Sequence, residues 1–116
     1  MPRITIYHKP TCTTCRQVHA ALRAAGVDFD AVDYYTDPIP RAKLEELIRK
    51  LGIPARELLR TKEAAYRSLG LADPAITDAQ VIAAMVSHPD LIQRPIVEKG
   101  SRAILARPAE RLREIL

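Results

Sequence analysis

Tryptophan is absent from this chain, phenylalanine occurs once and cysteine only twice. With four tyrosines completing the aromatics and arginines scattered from Arg3 to Arg113, there is no platform on which bases could stack and no concentrated cationic face. No nucleic-acid partner is expected. No run approaches eighteen uninterrupted apolar residues, and the opening "MPRITIYHKP" lacks the basic, apolar and small-residue order of an export leader. A cytoplasmic protein without a membrane role is the expectation. Repeats and low-complexity tracts are also missing. What remains is 116 residues, 47% apolar and 28% charged, enough for one domain spanning 1–116 to bury a core without disulfide staples. The net charge of +4 is carried mostly by arginine. Isolated arginines drawn from distant segments suit a small oxyanion, because several can converge on one tetrahedral anion.

Alternation in "RITIY" predicts a strand, and from Cys15 the apolar residues Val18, Ala21, Leu22 and Ala25 recur at helical spacing until Gly26. "VDFDAVDYY" then predicts a second strand. Residues about 40–89 read as an all-helical insertion. Leu44, Leu47, Ile48 and Leu51 mark an amphipathic helix, Gly52 and Pro54 break it, and Thr77 with Gln80 forms a capping-box signature before a helix that Pro89 ends. Two short apolar runs joined at Lys99-Gly100 follow, then a helix opened by Pro108 at its first position. The order βαβ, helical lobe, ββα predicts an α/β thioredoxin-like fold with a mixed sheet and an inserted helical lobe.

Both cysteines lie in "YHKPTCTTCRQV", between the first strand and the first helix. At a helix N-terminus, free backbone N–H groups and the positive end of the dipole stabilise a thiolate. An ordinary thiol is only about 3% ionised at pH 7, and lowering its pKa by about two units would raise that to roughly three quarters. Cys12 is the candidate nucleophile, with Arg16 one turn on and His8 and Lys9 before the window as further positive charge. Cys15 shares the apolar face of Val18 and Leu22, so it should be more buried and could resolve an adduct on Cys12 as a disulfide. Two plainer readings compete. The thiols could be small buried hydrophobes, which leaves their spacing between strand and helix without a reason. A zinc site would need further ligands from His8, His19 and His88, which are not closely spaced, so His19 and His88 read as ordinary helix residues.

The stretch "HKPTCTTCR" resembles the active-site loop of the ArsC-type arsenate reductases. "ARELLRTKEAAYRSLGL", "HPDLIQRPIV" and "SRAILARP" resemble further segments of that family in the same order, so the likeness runs from Tyr7 to Pro108. The resemblance implies Cys12 as nucleophile, Arg60, Arg94 and Arg107 as oxyanion-binding residues, and His8 and Arg16 as neighbours of the nucleophile. It also implies a cis peptide bond before Pro95. The physics is consistent: each charge-assisted arginine bond offers roughly 1.5–3 kcal/mol, so two or three can hold a dianion beside a thiolate. Position 15 is Cys where many members have Ser, which makes an internal Cys12–Cys15 disulfide possible. The chain also ends soon after its last expected helix, so no role is expected for a longer tail.

The activity implied is reduction of arsenate to arsenite, with Cys12 attacking arsenic and Cys15 or glutathione completing a thiol–disulfide exchange. No tightly bound cofactor and no metal are implied; the external reductant is glutathione with glutaredoxin, or thioredoxin. The expected partners are therefore the arsenate oxyanion and a thiol carrier protein, with the chain itself a monomer. Two alternatives share the fold: an Spx-like redox-sensing transcriptional regulator that binds RNA polymerase, and a general glutathione or disulfide oxidoreductase.

Overall fold

The computed structural model describes residues 3–116. They divide into two compact units, residues 3–37 with 94–116 and residues 38–93.

The first unit is built on a four-stranded sheet. β1 (Ile4–His8), β2 (Phe29–Asp33), β3 (Ile96–Lys99) and β4 (Arg102–Leu105) lie in the order β2-β1-β3-β4. β1 pairs parallel to β2 and antiparallel to β3, and β3 pairs antiparallel to β4, so the sheet is mixed. The parallel pair requires a crossover, which α1 (Thr13–Ala24) supplies. β1 and β3 are central and nearly all their residues are buried, whereas β2 is an edge strand with a half-exposed pattern. Gly100, with φ of 61°, takes the first turn position of the two-residue connection between β3 and β4.

Alternation along the strands sends Ile4, Ile6, Val97 and Ile104 to one face, where Val18 and Leu22 of α1 pack on them with Leu112 and Ile115. Each fully buried aliphatic side chain contributes on the order of 2 kcal/mol. This layer clamps α1 and so fixes the position of its N-terminus, which is where the cysteines lie.

The terminal segment departs from expectation. Pro108 caps a 3₁₀ segment, Ala109–Glu114, instead of opening an α-helix, and the Arg107–Pro108 bond is cis, as is the Arg94–Pro95 bond, for which the resemblance implied that isomer. The physical reason is visible in the apolar spacing. Ala109, Leu112 and Ile115 recur every three residues, and three residues per turn brings all three onto the sheet face.

The second unit holds α2 (Arg41–Leu51), α3 (Ala64–Ser68) and α4 (Asp78–Ser87), with 3₁₀ turns at Ala55–Leu58 and Pro89–Leu91. Leu44, Leu47 and Ile48 of α2 and Val81, Ile82 and Met85 of α4 are buried. The Arg56 guanidinium donates to the carbonyls of Leu71, Asp73 and Ile76, tying the long α3–α4 connection to the rest of the unit. Among the described residues no helix is long and apolar enough to cross a membrane.

The capping box is present: the Gln80 N–H donates to Thr77 Oγ1 at 3.2 Å and the Thr77 N–H to Gln80 Oε1 at 2.8 Å. Thr77→Ala should lose about 1 kcal/mol and lower the midpoint of thermal unfolding by about 5 °C in a circular-dichroism melt. An unchanged midpoint would mean that the cap does not limit stability.

Candidate active site

The strand directions gather the site. β1 and the parallel β2 end on one side of the sheet, the antiparallel β3 begins there, and β4 returns there. Hence the loop to Cys12, the residues Tyr34 and Tyr35, the Arg94–Pro95 pair and Arg107 all lie along one end of the sheet.

Cys12 is the N-cap of α1, with φ −80° and ψ 127°. Its own N–H donates to the Lys9 carbonyl at 2.9 Å, and its carbonyl accepts from the Arg16 N–H at 3.0 Å. The Cys15 N–H donates to Cys12 Sγ at 3.4 Å, so the sulfur occupies the place that a Ser or Asp oxygen takes in an ordinary cap. Burial works against ionisation of this thiol. Hydrogen bonding from the backbone and side chain of Cys15 and from the Arg94 side chain, with the charge of Arg94, outweighs that and lowers the Cys12 pKa. Cys15 is fully buried, and burial pushes its thiol up to about 12. Neither cysteine is in a disulfide.

The two thiols are thus driven apart. Alkylation by iodoacetamide, mapped by mass spectrometry against pH, should modify Cys12 with a midpoint below the free-cysteine value of about 8.5 and leave Cys15 intact in the native protein. Equal labelling of both thiols, or a Cys12 midpoint above that value, would contradict this electrostatic arrangement.

Arg94 is buried to 7% exposure beside the thiol. Its Nη1 donates to the Tyr35 hydroxyl at 3.3 Å, while its Nε is buried and has no hydrogen-bond partner among the described residues. The Tyr35 ring also receives Lys9 Nζ at 4.4 Å from its centroid. Burial opposes the charge on Arg94, but Tyr34, Tyr35 and Cys12 raise its pKa on balance. Arg107 is exposed at the end of β4, and its Nη1 donates to the Arg94 carbonyl at 3.3 Å. The structure therefore brings Arg94 and Arg107 together with Cys12 in one unit.

Arg60 belongs to the other unit, two residues past the Ala55–Leu58 turn. Its N–H donates to the Leu91 carbonyl at 2.7 Å, and its Nε pairs with Glu63 Oε1 at 3.1 Å. With about a quarter of each side chain exposed, that pair is worth at most about 1 kcal/mol.

His8 behaves differently from its sequence expectation. Burial, with the neighbouring His19, pushes its imidazole down in spite of Asp33, so it is neutral at pH 7 and brings no positive charge to the window. The two rings stack with centroids 5.7 Å apart, and His19 meets Phe29 edge-on at 5.1 Å. Arg16 is exposed and lines a cleft with His8, Pro10, His19, Ala20 and Arg23. The principal cation at the Cys12 sulfur is Arg94.

Sequence reasoning passed over Tyr35 and the ring contact of Lys9. The signal that could have found them is positional: in a parallel pair, whatever follows β2 lies at the same end as whatever follows β1, and "YY" follows β2. Among the described residues no three His, Cys, Asp or Glu side chains gather to hold a metal.

The sequence profile of the ArsC family matches residues 7–115. The arsenate reductase of Rhizobium meliloti (strain 1021) is 40% identical over 113 residues, 97% of this chain and 81% of that protein. The Escherichia coli (strain K12) protein YfgD is 39% identical over 115 residues, 98% of this chain and 97% of that protein. The solved structure of the arsenate reductase from Vibrio cholerae superimposes with a TM-score of 0.95 at 35% identity, covering 99% of this chain and 98% of that one. The fold is accordingly the thioredoxin-like one that the element order implied. The match includes the Cys12 window, the Arg94–Pro95 pair and Arg107, and the chain belongs to the ArsC family.

Proposed function

We propose that this chain is an arsenate reductase in which Cys12 is the nucleophile and Arg94 and Arg107 hold the oxyanion. The observation that carries the reading is the Arg94 guanidinium: buried beside an acidified thiol, with one N–H left without an acceptor among the described residues. A buried donor without a partner costs about 1–3 kcal/mol, and an oxyanion held next to the sulfur would supply the missing acceptor. Arg60, paired with Glu63 within its own unit, is given an anion-binding role by the family motif. The relatives named arsenate reductase favour the enzyme over the regulator of the same fold.

In the reaction, Cys12 thiolate attacks arsenic and an arsenate oxygen leaves as water after taking up protons, forming an S–As(V) bond. A second thiolate then attacks Cys12 Sγ. The S–As electron pair stays on arsenic, which departs as arsenite, and the two sulfurs, having lost two electrons, form a disulfide. An external thiol carrier restores Cys12. Arginine suits the binding step because its planar fork pairs with two oxygens at once.

The second thiolate is external in this reading. Burial holds the Cys15 thiol protonated, which disfavours it as an attacking thiolate against a free external thiol. The recycling carrier is glutaredoxin or thioredoxin.

Two measurements test this. Purified protein should drive arsenate-dependent NADPH oxidation when coupled to a glutathione/glutaredoxin or a thioredoxin system, and no oxidation with either would refute the activity. Mass spectrometry of Cys15→Ser protein treated with arsenate and glutathione should find a glutathione adduct on Cys12. A missing adduct there, together with a Cys12–Cys15 disulfide in the unmodified chain, would make Cys15 the resolving thiol.

A further inference from the structure

α1 carries no acidic residue in its twelve positions. Along one side it sets Arg16, His19, Ala20 and Arg23, and seven residues make two turns, so Arg16 and Arg23 stand above one another about 10 Å apart. Neither guanidinium has an ion-pair or hydrogen-bond partner among the described residues, in contrast to Arg3 with Asp30 or Arg111 with Glu114. Both line one cleft of about 320 Å³ with His8, Pro10, His19 and Ala20, a size in the small-molecule range.

The layout of the cleft selects its ligand. Arg107 Nη1 reaches the backbone carbonyl of Arg94, so these two residues are immediate neighbours. Arg16 and Arg23 are two turns apart, with an alanine, a proline and two imidazole rings between them. That pattern calls for a molecule with an anionic group at each end and an uncharged body. It also calls for proximity to the nucleophile: His8 and Pro10 flank Lys9, whose carbonyl holds the Cys12 N–H. Helical side chains lean toward the N-terminus, so both guanidinium heads approach Cys12 more closely than their backbone positions do.

We infer that the cleft between Arg16 and Arg23 is the docking site of the thiol co-substrate, a tripeptide thiol of the glutathione type with a carboxylate at each end. A three-residue chain spans about 10 Å when extended, which matches the separation of the two cations. The thiol at its centre is then presented toward the His8 end of the cleft, beside Cys12. The inference rests on the reductase reading, yet its test contains no arsenate.

The full chain is titrated with S-methylglutathione, which cannot exchange with a thiol, and amide shifts are followed by heteronuclear NMR. Saturable shifts centred on residues 8–10 and 16–23 are expected. Arg23→Glu should weaken binding at least about tenfold, Arg23→Lys should stay within about threefold, and the diethyl ester, which lacks both carboxylates, should not bind. Arg23 is exposed in the last turn, so reversing its charge leaves the buried face of α1 intact. Shifts centred elsewhere, binding indifferent to Arg23→Glu, or equal binding of the ester would each overturn the assignment. Should Arg23→Glu leave S-methylglutathione binding intact but abolish recycling by glutaredoxin, the surface belongs to an acidic face of the carrier and not to the tripeptide. Failure here leaves the arsenate-dependent assay to stand or fall on its own result.

Discussion

Replacing Cys12 by serine should lower arsenate-dependent turnover at least about 10³-fold while leaving thermal stability unchanged or slightly raised. Both electrons that reduce arsenic come from sulfur, one of them the sulfur of Cys12, so a hydroxyl at this position can form neither the S–As bond nor the disulfide that releases arsenite. Stability should hold for a separate reason. Cys12 Sγ caps α1 by accepting from the Cys15 N–H, and serine is among the preferred residues for that role. The measurement pairs coupled NADPH oxidation with a thermal melt of the same preparation. Turnover within tenfold of the unmodified protein would remove Cys12 from the chemistry. A collapsed melt would show instead that the cysteine acts through the fold.

Arg94→Lys should reduce kcat/KM for arsenate by about 10² to 10³ and move the alkylation midpoint of Cys12 upward. The guanidinium has two claims on it in the structure, the Tyr35 hydroxyl and the Cys12 sulfur, and in the proposed reading its Nε takes the oxyanion as a third. A lysine keeps the charge but carries its donors on a single nitrogen without the planar fork, so it cannot meet all three. The second readout matters because it needs no substrate. Hydrogen bonding and charge from Arg94 favour the thiolate, so a weaker contact raises the Cys12 pKa and shrinks the ionised fraction at pH 7. A kcat/KM within threefold of the unmodified enzyme, with the midpoint unmoved, would show that Arg94 serves only the packing of its loop.

Tyr35 links this site to its scaffold. It lies two residues past β2, accepts from Arg94 and receives Lys9 on its ring, so it holds the arginine against the loop that carries the nucleophile. Nothing local in "VDFDAVDYY" distinguishes that tyrosine from an ordinary strand-end aromatic. Its place follows from the parallel pairing of β1 and β2, a non-local fact.

The capping and patterning of individual elements could be read directly. Thr77 with Gln80, the α2 spacing of Leu44, Leu47 and Ile48, and the stop at Gly26 all act within a few residues along the chain. The 3₁₀ end was harder, because the apolar spacing of Ala109, Leu112 and Ile115 acquires meaning only when there is a sheet face for it to cover. His8 was misjudged for a similar reason. Its charge depends on burial and on His19 eleven residues away, not on its position before Pro10.

The sequence by itself determined the chemical kind of this protein: a thiol at the start of an acid-free helix, arginines spaced along the chain as the family motif requires, and an element order compatible with one mixed sheet. Those are local properties, set by which atoms each residue carries and how a short stretch of backbone satisfies its own hydrogen bonds. Only the tertiary structure decided that Arg94 loses solvent and gains the sulfur, that Cys15 is sealed in a protonated state, and that His8 stays neutral. Each of these is a balance between desolvation and a partner distant in sequence, and that balance exists only once the sheet has brought the groups together.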